Sequence, residues 1–379
     1  MNIVVDAHVH LWDPARGDYG WLKPELTGLY RRFEVQELHA LLEPAHVDGV
    51  VLVQAAPTAA ETDYLLGIAE QTPWVFGVVG WIDFDAENVV DVVASRARHR
   101  KLVGVRPMLQ DLDDPEWILN PTRAPALTAL ASHGLVFDAL IHPQHIGAIE
   151  QIAERHPDLS IVIDHAAKPI ISAQPDLAWR DGMRRLAARN NVACKLSGLL
   201  TQLVPNTSEE HVSAHAEVVM DLFGPCRTLW GSDWPVLTQA APYSQWFELT
   251  QQILSRLSAT ERRAVLGGNA ARIYHLDLRA QAAAILLHPA DNVVVCCRPV
   301  AAGERIRIGE QEHLVVLDPA ELGHKIARRA LQVGTKVIKY GASIGSATAA
   351  VAAGGWVHLH NMKSDYISPH TRALGGDGS

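Results

Sequence analysis

Before residue 240 the chain alternates short apolar, β-branched runs with longer stretches of helical character. The apolar runs are Ile3–His10, Gly49–Gln54, Val75–Ile82, Leu102–Met108, Leu135–Ile141, Leu159–His165, Val192–Ser197 and Thr228–Ser232. Between them, Glu61–Gln71 places Leu65, Leu66 and Ile68 at helical positions, and Pro143–Arg155 and Trp179–Arg189 read the same way. Strand alternating with helix predicts βα units and a parallel sheet. Eight such units within about 270 residues fit an α/β TIM (β/α)8 barrel better than an open sheet.

After Tyr274-His275-Leu276 the pattern changes. Asp277–Ala284 reads as a short helical linker. Brief β-rich runs follow at Asn292–Cys297, Glu304–Ile308, His313–Leu317 and Val337–Lys339, with one helix expected over Glu321–Gln332. The predicted organisation is therefore a barrel domain over 1–276, a linker over 277–284, a small β-rich domain over 285–367 and a disordered tail over 368–379. The length of 379 residues suits two domains. Charge supports the boundary: residues 277–379 hold 11 Lys+Arg and 9 Asp+Glu, which leaves 22 and 33 of the totals 33 and 42 for residues 1–276.

Composition removes several function classes. A formal charge of −9 argues against a nucleic-acid partner. No run of 18 uncharged apolar residues predicts a membrane span, and the N-terminus lacks the pattern of a secretory signal. Cys194, Cys226, Cys296 and Cys297 form no CxxC pair, which points to a reducing cytoplasm. The oligomeric state is left open.

Polar residues gather where a barrel places its chemistry. His8, His10, Arg106, His142, His165, Lys195 and Asp233 all fall near the C-terminal ends of the predicted strands, the active-site face of this fold. His8 and His10 are two apart on one strand and share a face, so both imidazoles can serve one ion or one substrate oxygen. In a closed barrel the first and last strands are neighbours, and Asp233 of Gly231-Ser232-Asp233-Trp234-Pro235 can meet that pair. His8, His10 and Asp233, with His165 nearby, suit either a mononuclear divalent-metal site, zinc above all, or a metal-free cluster that polarises a carbonyl. Asp233 is the candidate general base, and a turn aspartate is its structural alternative. His165 either polarises the carbonyl and orients water or is a satisfied buried histidine. Arg106 anchors substrate or forms an ion pair. His142 completes a metal shell or binds hydroxyls. Lys168 holds a substrate hydroxyl or carboxylate, or lies on the surface. Lys195 binds substrate or makes an ion pair inside the barrel.

The motifs VDAHVHLWDP, GVRPM, FDALIHPQH, IVIDHAAKP, CKLSGL, FGPCRTLWGSDWPV and GGNAARIYHL make residues 1–276 resemble the sugar-lactone hydrolases of the amidohydrolase superfamily, the L-fuconolactonase and L-rhamnonolactonase group. The resemblance implies a TIM barrel with His8, His10, His165 and Asp233 at the active centre, with or without a metal. Ala166-Ala167 departs from the Leu-Gly usual at this place. The motifs ILLHPADNVVV, PVAAGERI, GHKIA, GTKVIKYGASIG and GGWVHLHNM make residues 285–366 resemble the small SAF-like domain of altronate and galactarate dehydratases. That resemblance implies that His358 and His360, which share a face at i, i+2, contribute to a dehydratase site near a metal. It also implies a separate large dehydratase subunit as partner, because the large catalytic part is missing from this chain. The expected activity is hydrolysis of a sugar-acid lactone to the aldonate, joined to a domain for the next catabolic step. Two other readings stand beside it: hydrolysis of an aromatic-pathway lactone such as a pyrone dicarboxylate, and a dehydratase accessory subunit with the barrel as scaffold.

Overall fold

In a computed structural model the chain is described over residues 3–205, 207–278, 283–308 and 312–365. It divides into two compact units, one ending at Asp277 and one starting at Leu278. The expected disordered tail and residues 279–282 of the expected linker lie outside the described residues.

The first unit is the expected barrel. Its strands are β1 (Val5–Val9), β2 (Gly49–Val53), β3 (Val75–Gly80), β4 (Leu102–Val105), β5 (Val136–Ala139), β6 (Ile161–Ile163), β7 (Val192–Leu196) and β8 (Thr228–Trp230). They pair in chain order and in parallel. Every residue in them is buried, the state of a parallel sheet covered on its outer face by helices and filled within. The covering helices are α1 (Val35–Leu42), α2 (Ala59–Gln71), α3 (Val89–Arg96), α4 (Ala124–Ser132), α5 (Ile146–Arg155), α6 (Leu177–Ala187), α7 (Glu209–Phe223) and α8 (Tyr243–Ile253). The loop between β2 and α2 is fixed by local bonds. At α2, Thr58 caps the Glu61 N–H, and the Glu61 carboxylate reaches back to the N–H groups of Ala55 and Ala56 at 2.9 and 2.8 Å.

Closure of the barrel needs β1 to meet β8, and the two long-range motifs do this. The His10 N–H donates to the Trp234 carbonyl at 2.8 Å, and the Asp233 N–H donates to the His8 carbonyl at 2.8 Å. The Asp6 carboxylate, wholly buried, spans the seam. It accepts from Ser232 N at 2.8 Å, from His8 N at 3.2 Å and from the Tyr243 hydroxyl at 3.0 Å. Behind the seam, Gly267 lies so close to β1 that a Cβ there would stand 2.2 Å from the Ile3 carbonyl oxygen. No other residue fits without backbone movement.

The second unit is built of short antiparallel strands: β9 (Ala284–Ile285), β10 (Val293–Cys296), β11 (Arg305–Ile308), β12 (Glu312–Val315), β13 (Lys325–Ala327), β14 (Lys336–Lys339), β15 (Ala342–Ala347), β16 (Trp356–Val357) and β17 (Met362–Lys363). They form sheets ordered β16-β13-β10-β9, β11-β12 and β14-β15-β17. Two sequence expectations are corrected here. Glu321–Gln332 is not a helix, because it contains β13. Ile326 packs with Val294 in one apolar cluster and Ala327 with Val293 in another, so consecutive residues face opposite sides with a period of two. Ala284 does not end a helical linker; it pairs with Cys296 in β9. The four cysteines are unpaired, and no helix among the described residues is long and apolar enough to cross a membrane.

Burial dominates at Asp6, whose pKa is pushed up to about 6 despite its hydrogen bonds. Its acceptor geometry, rather than its charge, should therefore hold the seam. Asp6→Asn keeps one oxygen for the two N–H groups and offers an amide N–H to the Tyr243 oxygen, so its melting temperature should stay close to that of the parent. Asp6→Ala strands two buried N–H groups and a hydroxyl and should lose about 3 kcal/mol in denaturant unfolding. Equal losses in both variants would overturn this account.

Candidate active site

The seam delivers His8, His10 and Asp233 to one point, and β6 delivers His165. Asp233 Oδ1 lies 3.3 Å from His10 Nε2 and 3.8 Å from the Nε2 atoms of both His8 and His165. All four side chains are buried. Asp233 has a left-handed backbone at φ 63°, so it is a turn residue and a site residue at once. His165 was expected at a strand end. Instead β6 stops at Ile163, and His165, Ala166, Ala167 and Lys168 run through four left-handed conformations at φ 51, 52, 61 and 48°. Such a run costs about 1–2 kcal/mol per non-glycine residue. It is held by Trp179 Nε1 donating to the Ala166 carbonyl at 2.8 Å and by Lys168 N donating to the His165 carbonyl at 2.8 Å. The departure at Ala166-Ala167 thus falls inside this turn. Across from it, Gly198 has φ 63°, and a Cβ there would stand 2.5 Å from His165 Nδ1.

The protonation pattern follows from the partners. His10 Nδ1 lies 2.7 Å from the Val53 carbonyl, which can only accept, so Nδ1 carries the hydrogen and Nε2 presents a lone pair. Arg106 Nη1 approaches His8 Nε2 at 3.3 Å, and His8 Nδ1 lies between the Lys195 ammonium at 3.2 Å and the Asp164 carboxylate at 3.3 Å. Burial drives the pKa values of His8, His10 and His165 down, the last to about 4, so the imidazoles are neutral. Burial raises Asp233, but His165 and the contact to His10 outweigh it and hold the carboxyl below its usual range. The two Nε2 atoms stand only 3.2 Å apart with the Asp233 carboxylate beside them. Three potential acceptors converge here, and one of them, His8 Nε2, lies against the Arg106 guanidinium. His8, His10 and Asp233 satisfy the spacing of a metal-ligand set, as does a second group formed by His8, Asp164 and His165. The residues fit a divalent ion: each is buried, and His8 and His10 each have the far ring nitrogen tied to a backbone carbonyl or carboxylate.

Beneath this cluster lies a charge network of which sequence reading found only the cations. Lys195, fully buried, contacts Asp138 at 2.5 Å and Asp164 at 3.0 Å, and Arg106 reaches Asp164 at 3.2 Å and the Gln54 carbonyl. Tyr274 donates to Asp138 at 2.8 Å. Lys195 and Arg106 therefore take the ion-pair alternative, supporting His8 from behind. Asp164, Asp138 and Ser197, whose hydroxyl lies 2.9 Å from His165 Nδ1, were missed. Asp164 was legible as the immediate neighbour of His165; Asp138 and Ser197 also stand inside the motifs around His142 and Lys195. Lys168 donates to Gln110 at 2.5 Å, and half-buried His142 is its neighbour, with burial first and Lys168 next lowering the His142 pKa. Burial lowers the Lys168 pKa and the Asp233 carboxylate opposes that shift, so Lys168 is an electrostatic neighbour of the Nε2 cluster.

In the second unit, His358 and His360 flank Leu359 in a turn between β16 and β17, not in a strand. Asn361 builds the turn, accepting from His358 N at 2.9 Å and donating to the Trp356 carbonyl at 2.8 Å. Both imidazoles pack on Trp356, at 5.1 and 5.0 Å between ring centroids, and His324, which sequence reading missed, stacks on the same indole at 4.9 Å.

Comparison with known proteins gives each unit a family match. Residues 5–276 match the amidohydrolase family, and residues 282–365 match the altronate/galactarate dehydratase SAF domain. An L-fucono-1,5-lactonase from Burkholderia ambifaria is 43% identical over 281 residues, covering 73% of this chain and 97% of that protein. A crystal structure of an amidohydrolase from Burkholderia multivorans with bound zinc is 34% identical with a TM-score of 0.69, covering 72% of this chain and 99% of that one. An altronate dehydratase from Escherichia coli is 40% identical over 81 residues, which are 21% of this chain and 16% of the dehydratase. The chain therefore belongs to the amidohydrolase family, with a dehydratase-type SAF domain following its barrel.

Proposed function

We propose that the barrel hydrolyses a sugar-acid lactone of the L-fucono-1,5-lactone class to its aldonate. The observation that carries this reading is the convergence of His8, His10 and His165 on the Asp233 carboxylate at the C-terminal mouth of the barrel. Asp233, kept ionised, accepts a proton from water as the water oxygen attacks the lactone carbonyl. Neutral His165, held by Ser197, orients the carbonyl side of the reaction. The acyl C–O bond breaks, the ring oxygen ends as a hydroxyl, and the second proton leaves as the new carboxylic acid ionises. Arg106, Lys195 and Asp164 keep His8 in one orientation. A divalent ion, zinc by the neighbouring crystal structure, would be held by His8, His10 and Asp233 and would supply Lewis acidity at the carbonyl.

The pyrone dicarboxylate reading is less favoured. Such a substrate needs free cations, whereas the guanidinium of Arg106 and the ammonium of Lys195 are committed to Asp164 and Asp138. The scaffold reading is less favoured by the intact convergence of His8, His10, His165 and Asp233. For the second unit, we propose that His358 and His360, with Trp356 and His324, serve a dehydratase site completed by a separate large subunit, since this chain spans only about 16% of the dehydratase it matches. Covalent joining would then tie lactone opening to consumption of the aldonate.

Asp233→Asn keeps the shape but cannot take the proton. It should lower kcat by about 10²-fold or more at an unchanged melting temperature, and activity within a few-fold of the parent would remove Asp233 from the mechanism. Elemental analysis of the purified chain should find one divalent ion per molecule, lost in His10→Ala; a metal-free protein indifferent to chelator would leave the metal-free cluster. The chain alone should form no 2-keto-3-deoxy acid from aldonate. Dehydration should appear on adding a large dehydratase subunit and weaken in His358→Ala while lactone hydrolysis persists. Dehydration by the chain alone would sink the partner proposal.

A further inference from the structure

A cleft of about 560 Å³ opens where the loops after β1, β2, β3 and β4 leave the barrel. That volume falls within the range of small-molecule sites, roughly 300–1,000 Å³. Indoles form its walls: Trp21, Trp81 and Trp117 all line it. It is tied to the catalytic cluster from two sides. Trp21 packs edge-on against Trp12 at 5.3 Å, and Trp12 lies 6.2 Å from the His10 ring. Pro107 and Met108, also in the lining, follow directly on Arg106.

The walls are rigidly set. Trp21 Nε1 donates to the Ala55 carbonyl at 2.7 Å. The Trp81 backbone is pinned at both ends by the Thr62 hydroxyl, which accepts from Trp81 N at 2.8 Å and donates to its carbonyl at 3.2 Å. The Arg123 guanidinium covers one face of Trp117 at 3.8 Å. Charge in the lining has one sign. Asp18 and Asp85 are neutralised by Arg16 and Arg123, but Asp83 and Asp111 form no ion pair among the described residues, and no lysine or arginine lines the cleft. Lys168, just outside, is an electrostatic neighbour of Asp111.

We infer that this cleft is the specificity site for the lactone: it seats the C–H face of the sugar ring on indole faces and, through Asp83 and Asp111, accepts hydroxyl hydrogens while rejecting the anionic aldonate. The inference rests on the lactonase reading. Indoles fit a ring whose one face is C–H and whose rim is hydroxyl, because that face is apolar and the ring edge can hydrogen-bond. A lactone is neutral and its product carries a carboxylate. Asp83, which has no ion pair among the described residues, disfavours such an anion by about 3-fold from about 7 Å in water-like surroundings, while Lys168 offsets part of the same effect from Asp111. The same walls therefore bind substrate and release product.

The test uses the full chain with L-fucono-1,5-lactone as probe substrate and its aldonate as inhibitor. Trp81→Ala should raise KM by about 10-fold or more, with a smaller change in kcat, and Trp81→Phe should restore most of the loss. In the double variant Asp83→Asn, Asp111→Asn, the aldonate inhibition constant should fall by several-fold, and the difference from the parent should shrink in high salt. Quenching of tryptophan fluorescence by the lactone, measured in Asp233→Asn, reads binding without turnover. Hydrolysis by the parent with KM unmoved in Trp81→Ala would overturn the cleft assignment and leave the lactonase reading standing. Lactone-dependent quenching that Trp81→Ala abolishes, in a chain that does not hydrolyse, would uphold the cleft and overturn the catalytic reading. An aldonate inhibition constant unchanged in the double variant would overturn the role given to charge.

Discussion

Everything functional in the barrel depends on one closure, the meeting of β1 with the segment after β8. The backbone bonds that make it run between the residues that also carry the chemistry: His8 receives the Asp233 N–H, and His10 donates to Trp234. Asp6 locks the same joint from inside with three accepted hydrogen bonds. The ligand set is therefore a by-product of closing the sheet. Its members are placed by backbone pairing, which is stiffer than side-chain packing alone.

Holding a polar cluster at this depth has an electrostatic cost, and the layer beneath His8 answers it. Two cations, Lys195 and Arg106, share Asp164, and Lys195 also takes Asp138. Burial raises Asp138 to about 6, and Lys195 is the main influence pulling it back. For Asp164 the cations and His8 win, and it stays ionised well below its usual range. Removing one partner would leave another charge buried without compensation, which is far more damaging than the net worth of the pair. The layer holds His8 in place from behind, with Arg106, Lys195 and Asp164 all against its ring.

Much of the barrel is legible in the sequence because each strand is a continuous apolar run and each motif ends one. The same reasoning finds His8, His10, His165 and Asp233, since strand ends on one face of a barrel converge. It does not find Asp164 or Asp138, whose roles depend on side chains from other strands. Nor does it foresee the left-handed run from His165 to Lys168: local propensity gives alanine no reason to adopt it, and only Trp179 and the bonds across the turn hold it. The helix expected over Glu321–Gln332 fails for a related reason. Its residues suit a helix locally, but pairing of Lys325–Ala327 with β10 buries Ile326 and Ala327 on opposite sides. His358 and His360 share a face as expected, though a turn built by Asn361 brings them together rather than a strand.

The seam also sets the order in which this site can come into being. Asp6 and Ser232 are 226 residues apart, so their contact closes nearly the whole barrel sequence into one loop. Contacts of such separation carry the largest chain-entropy cost and are expected to form late in folding. Sheets of three or four strands can assemble earlier on neighbouring pairings without holding any of the site. A chain released part-way through synthesis, or misfolded at any one strand, thus has no half-formed centre to bind ions or substrate unproductively. Occupancy of the centre would serve as a marker of completed folding.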